Sequence, residues 1–234
     1  MSESVSQYLF MKHRWRLLGI ACLVLSVVAI AFLCDSAVDR IMQFHPNSPW
    51  TPLAVLFSRY GDWPFLILYA VLIFISAFAF ANNRLMTVAL SMGISCGICG
   101  TIATVIRSLS GRTRPSAHVA QGWYGVFHNS HCLIGNHDFN SFPSGHVGAV
   151  VGFAVPLLLG TRRGRFPAVI LSFAVAWSRL FLRCHHFSDV VVSAIIGIGG
   201  GICVWLWISR KNLDFRRRSP VPPLLTAPKP LEQS

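Results

Sequence analysis

The chain has 234 residues, 53% of them hydrophobic and only 12% charged, where a soluble domain carries about a quarter charged residues. A positive mean hydropathy and long uncharged runs exclude an ordinary soluble fold and place the chain in the membrane class. Its formal charge of +12, from 20 basic against 8 acidic residues, reads as membrane topology and not as nucleic-acid binding, because the basic residues punctuate the apolar runs.

Taken in chain order, the apolar runs predict an all-α fold, a polytopic membrane helix bundle with six transmembrane helices. The spans are 17–34, 63–81, 85–106, 144–160, 166–182 and 190–208. The first three and the sixth hold 18 or more residues without a charge, about enough to cross a hydrocarbon core of roughly 30 Å. The fourth is shorter and contains Pro156, and the fifth carries Arg179 near its end. The first span has the basic flank of a signal peptide, but its long run with no A-x-A site reads as an uncleaved anchor. Residues 1–16 are then an N-terminal segment, 17–208 a single membrane domain, and 209–234 a basic and then Pro-rich tail.

Lysines and arginines are unevenly shared between the two sides of these spans. Thirteen of the 20 fall on the side of the termini, so the positive-inside rule puts both termini in the cytoplasm. The segment 107–143 and the turn around His185 then face outward. "RKNLDFRRR" reads as a contact for anionic lipid or as a plain topology signal. Gly197 and Gly201 form a small-xxx-small pair suited to helix packing. Cys132 and Cys184 both lie on the outward side, where a disulfide is chemically allowed.

Three polar clusters emerge on that outward face. "RSLSGRTRP" supplies Arg107, Arg112 and Arg114; "PSGH" supplies Ser144, Gly145 and His146; "SRLFLRCHHFSD" supplies Arg179, Arg183, His185, His186 and Asp189. Ionisable residues at membrane depth are costly and point to function. Arginines with few acids nearby make an anion site, and their forks match phosphate oxygens. Ser144 and Gly145 sit at a predicted helix start, where free N–H groups also favour an anion. Asp189 lies four residues after His185, a spacing that lets a carboxylate fix the imidazole tautomer and free the other nitrogen for attack. His146 is placed to act as general acid. Together these groups suit two-step displacement through a phosphohistidine.

The same clusters resemble the signatures of the type 2 phosphatidic-acid phosphatase (PAP2) superfamily, K-x6-RP, PSGH and SR-x5-H-x3-D. The second and third match completely. The first begins with Arg107 where the family usually has lysine, exchanging a compact ammonium for a planar fork. The resemblance implies that Arg107, Arg114 and Arg179, with the Ser144 hydroxyl and the Gly145 N–H, hold the phosphoryl oxygens. It implies that His185 is the nucleophile, oriented by Asp189, and that His146 protonates the leaving group and then activates water. No cofactor and no metal are expected, because the arginines take the place of a cation.

Arg112 is read either as a further phosphate contact or as a loop residue, and Arg183 as facing head groups. The motif spacing selects His185 over its neighbour His186. His118, His128, His131 and His137, with Cys132 and Asp138, have the residue types of a zinc site but no paired ligand spacing. Trp123, Tyr124 and Phe127 read as an interfacial anchor.

The function expected is a membrane lipid phosphatase acting at the outer face of a bacterial inner membrane. Its partners would be the membrane and a phospholipid or an isoprenoid or lipid A phosphate, with no nucleic acid. Polyprenyl diphosphate and lipid A 1-phosphate are the favoured substrates. A lipid-to-lipid phosphotransferase with the same site, and a non-catalytic anion-binding or transport protein, are the alternatives.

Overall fold

The structure, a computed structural model, describes residues 2–42 and 47–218. The Pro-rich tail at 219–234 lies outside the described residues. Seven α-helices account for most of the described residues: α1 (Ser2–Ile41), α2 (Thr51–Tyr60), α3 (Trp63–Ala79), α4 (Asn83–Ser110), α5 (Gly145–Gly160), α6 (Arg165–Phe181) and α7 (Phe187–Arg218). A long connection between α4 and α5 carries a two-stranded antiparallel hairpin, β1 (Phe127–His128) and β2 (His131–Cys132).

Helices α3, α4, α5 and α7 form the packed centre, with α6 against α5 and α1 against the outside of α7. Small residues set how closely these helices approach. A Cβ on Gly152 would lie 2.9 Å from the Ser95 carbonyl oxygen on α4, and one on Gly197 would lie 2.7 Å from Val151 on α5. Gly197 therefore packs inside the molecule, bringing α7 onto α5. Leu66, Val88, Met92, Val150, Phe153 and Val175 fill the resulting core. Helices α1, α3 and α6 also turn apolar side chains outward, among them Leu23, Leu33, Ile75 and Phe173, as lipid-facing helices do.

Among the described residues, three helices are long and apolar enough to cross a membrane by themselves: Arg14–Ile41, Asn83–Ser110 and Phe187–Lys211. A fourth candidate is the pair α2 and α3, bent by 60° at a short break. Of the six spans expected from the sequence, those at 144–160 and 166–182 correspond to helices too short to meet the same test. At 16 residues, α5 is only about 24 Å long at 1.5 Å per residue, short of a ~30 Å core. The 17-residue α6 begins at Arg165 and holds Arg179 in its last turn. Helix α2 was not expected; its run "TPLAVLFSRY" is too short to register as a span. The first and last helices also run past their apolar stretches. Residues 2–16 and 209–218 continue them without a break.

Candidate active site

The site gathers where α4 ends, α5 begins, and α6 passes into α7. Gly111, in the left-handed conformation at φ +60°, caps α4. A Cβ there would lie 2.1 Å from the Gly125 carbonyl oxygen, so only glycine lets the outgoing chain close back on itself. Arg107 stands one turn earlier and packs against the start of α5: a Cβ on Gly145 would sit 3.1 Å from its Nη1.

Ser144 is the N-cap of α5, yet its side chain caps no backbone N–H. Its hydroxyl is buried and has no hydrogen-bond partner among the described residues. The same holds for Arg107 Nε, Arg179 Nε and His185 Nε2. Buried polar atoms are normally paired. Three of these four orphans are donors, from the end of α4, the start of α5 and the end of α6, the kind of set that suits an anion. Arg179 is braced from α2, donating from Nη1 to Ser58 Oγ at 2.5 Å. Arg114 donates from Nε to the Asn140 carbonyl at 3.3 Å and meets His137 Nε2 at 2.7 Å through Nη1. Burial lowers the Arg114 pKa, and the like charges of Arg179 and Arg107 act in the same direction, so the cluster is short of negative charge.

His185 is 1% exposed. Its Nδ1 lies 2.7 Å from the Ser141 carbonyl oxygen. A carbonyl can only accept, so the proton sits on Nδ1 and the lone pair on Nε2. Burial, helped by Arg179 and Arg114 and opposed by Asp189, pushes the His185 pKa down to about 4. The ring is neutral at pH 7, with Nε2 buried and without a hydrogen-bond partner among the described residues.

Asp189 stands differently from the sequence expectation. Its Oδ2 is 3.7 Å from His185 Nδ1, beyond hydrogen-bond reach. The carboxylate instead accepts from Ser141 Oγ at 2.5 Å, the His186 N–H at 2.8 Å and Arg112 Nη1 at 2.5 Å. It acts on the imidazole by charge and by holding Ser141 in place, because Ser141 meets Asp189 through its hydroxyl and His185 through its carbonyl.

Arg112 is held as a structural strut. Its guanidinium donates to Asp35 Oδ2 at 2.6 Å, to Ser188 Oγ at 2.7 Å and to Asp189. It is also flanked by the rings of Phe32, Trp123 and Phe142. Trp123 forms one wall of this cage yet stays about half exposed, and Phe127 is exposed as well. Arg183 turns inward as well, donating to the Pro115 carbonyl at 2.9 Å. Both ring nitrogens of His186 are engaged, with Asp39 Oδ2 at 2.7 Å and the Thr113 carbonyl at 3.1 Å. Asp35 and Asp39 thus tie α1 to the site from outside all three motifs.

Cys132 and Cys184 are free thiols. Among the described residues, no three His, Cys, Asp or Glu side chains are grouped to hold a metal ion. His146 is partly exposed, with its Nε2 at 3.4 Å from Asp62 Oδ1. Ser58, Asp62 and Ser141 were not singled out from the sequence. The first two are common residue types in an unremarked connection, and Ser141 acts partly through a carbonyl that every residue possesses.

A helical membrane fold that gathers arginines and an unprotonated histidine at its helix ends has the groups a phosphoryl-handling membrane enzyme needs. The chain belongs to the PAP2 superfamily, whose family model matches residues 84–213, and it is a PAP2-type phosphatase. It is 27% identical over 154 residues to the undecaprenyl-diphosphatase BcrC of Bacillus subtilis strain 168, covering 66% of this chain and 72% of that protein. It is 25% identical over 227 residues to a lipid A 1-phosphatase of Rhizobium johnstonii, covering 87% of this chain and 90% of that one. Two solved structures share the fold. LpxE of Aquifex aeolicus has a TM-score of 0.51 at 19% identity, covering 73% of this chain and 93% of its own. A phosphatidylglycerolphosphate phosphatase of Bacillus subtilis has a TM-score of 0.55 at 17% identity, covering 86% and 98%.

Proposed function

We propose that this protein hydrolyses a lipid phosphate or diphosphate at the outer face of a bacterial inner membrane, through a phosphohistidine on His185. The observation that carries this reading is the His185 ring: buried, with Nδ1 held by the Ser141 carbonyl and Nε2 unpartnered. Arg107, Arg114 and Arg179, with the Ser144 hydroxyl and the Gly145 N–H, hold the phosphoryl oxygens. They supply the positive charge that many phosphatases take from metal ions. His185 Nε2 attacks phosphorus, and the P–O bond to the lipid breaks with its electron pair going to the lipid oxygen. His146 gives that oxygen a proton. It then takes a proton from water as the water oxygen attacks phosphorus, and the P–N electron pair returns to Nε2.

The relatives favour two substrates, a polyprenyl diphosphate and the 1-phosphate of lipid A. The excess of basic residues on the side of the termini supports cytoplasmic termini and an outward site. On this reading α5 and α6, with the bent α2–α3 pair, complete a six-span domain over 17–208, thinned locally around the short helices. The test is phosphate release in EDTA by detergent-purified protein from a panel of lipid phosphates, beside His185→Ala. Release abolished by the substitution supports the reading and names the substrate. Label passing to a second lipid would assign phosphotransfer. No turnover by folded protein would move the anion-binding alternative forward.

A further inference from the structure

The elbow between α2 and α3 lies before the family match begins at residue 84, yet it touches the site twice. Its two helices meet at 60°, and the turn is pressed onto α6: a Cβ on Gly61 would lie 2.2 Å from Val175 Cγ2. This close seat brings Ser58 to Arg179 at 2.5 Å and Asp62 Oδ1 to His146 Nε2 at 3.4 Å. Asp62 is also the N-cap of α3, accepting the Trp63 N–H at 2.8 Å, so the helix start fixes its carboxylate.

We infer that Asp62 is a positioning residue for the general acid, orienting His146 and keeping its proton available for the leaving lipid oxygen. This rests on the role given to His146 above. The need for such a partner comes from the surroundings. Arg107 from α4, Arg114 from the α4–α5 connection and Arg179 from α6 bring positive charge to His146, with the neutral ring of His185 from the turn before α7 beside them. An imidazolium among three guanidinium groups is opposed by each of them, and a nearby carboxylate is the compensating charge. Asp189 does not fill that place, since its carboxylate is bonded to Arg112, Ser141 and the His186 N–H. When the P–O bond breaks, the lipid oxygen takes both the bond's electron pair and the imidazolium proton. His146 is left neutral beside the unchanged Asp62 carboxylate, ready to accept the proton of the attacking water.

The test uses purified full-length protein and two monoesters, dodecyl phosphate and 4-nitrophenyl phosphate. The alkoxide is a poor leaving group and needs the proton; nitrophenolate needs it far less. Asp62→Asn keeps the cap, because asparagine also accepts a backbone N–H. Its kcat/KM is expected to fall at least about tenfold further on the alkyl ester than on the aryl ester. Its residual alkyl activity should shift toward lower pH, and Asp62→Glu should recover most of the loss. Equal losses on both esters, or a profile that does not shift, overturn the inference. His146→Ala on the same pair separates the two ideas. An alkyl-selective loss there with none in Asp62→Asn sinks only the role of Asp62, and no selectivity in His146→Ala sinks the acid assignment with it.

Discussion

His185 Nδ1 lies 2.7 Å from the Ser141 carbonyl oxygen, while the Asp189 carboxylate stands off at 3.7 Å. The backbone, and not the acid, selects the tautomer of the proposed nucleophile. Where a carboxylate alone does this, its amide replacement costs about 10⁴-fold because the tautomer inverts. Here Asp189→Asn should cost less, about a hundredfold in kcat, whereas His185→Ala should cost at least about 10⁴-fold. Comparable losses in the two variants, measured as phosphate release, would return the tautomer to Asp189.

The Arg112 strut makes a different prediction. Arg112→Ala leaves Asp35 and Asp189 buried without their cation, and breaking such a pair costs about 3–5 kcal/mol. The variant should unfold at markedly lower temperature in detergent. Arg112→Met, which fills the aromatic cage without the charge, should recover little. A melting temperature equal to wild type with a raised KM would restore Arg112 to the phosphate site.

The pH profile follows from the burial of His185. With its pKa lowered to about 4, the ring stays neutral well below the ~6.5 of a free imidazole. The acid limb of kcat/KM, corrected for titration of the substrate phosphate, should therefore fall near pH 4. Between about 6.5 and 4 the folded state binds fewer protons at this residue than the unfolded chain. His185 thus contributes full stability above about 6.5 and progressively less as pH falls toward 4. A limb near 6.5 would contradict the buried, unprotonated ring.

Gly145 and Arg107 can be tested together. A Cβ at 145 meets the end of the Arg107 side chain at 3.1 Å, which can move without disturbing the helices. Gly145→Ala should leave the melting temperature unchanged and lower kcat/KM by about ten- to a hundredfold, the usual penalty for displacing a positioning group. Arg107→Lys, restoring the residue the family usually carries, should lose less than Arg107→Ala. Phosphate release from the same lipid measures both.

Periodicity and charge were enough to read helices in a membrane, because apolar length is a local property. The three motifs were legible for a similar reason: arginines and histidines are rare at such positions, and their spacing along the chain is printed in the sequence. What the tertiary structure decided was which atoms each of them meets. Arg112 and Arg114 are two residues apart and chemically alike, yet one is neutralised by Asp35 and Asp189 while the other faces Arg107 and Arg179. His185 and His186 are adjacent, yet only the first keeps a free nitrogen. Asp35, Asp39, Ser58 and Asp62 come from segments outside the motifs. Residue type determines what a side chain is able to do; its partners are set by the packing of distant segments, which no local pattern encodes.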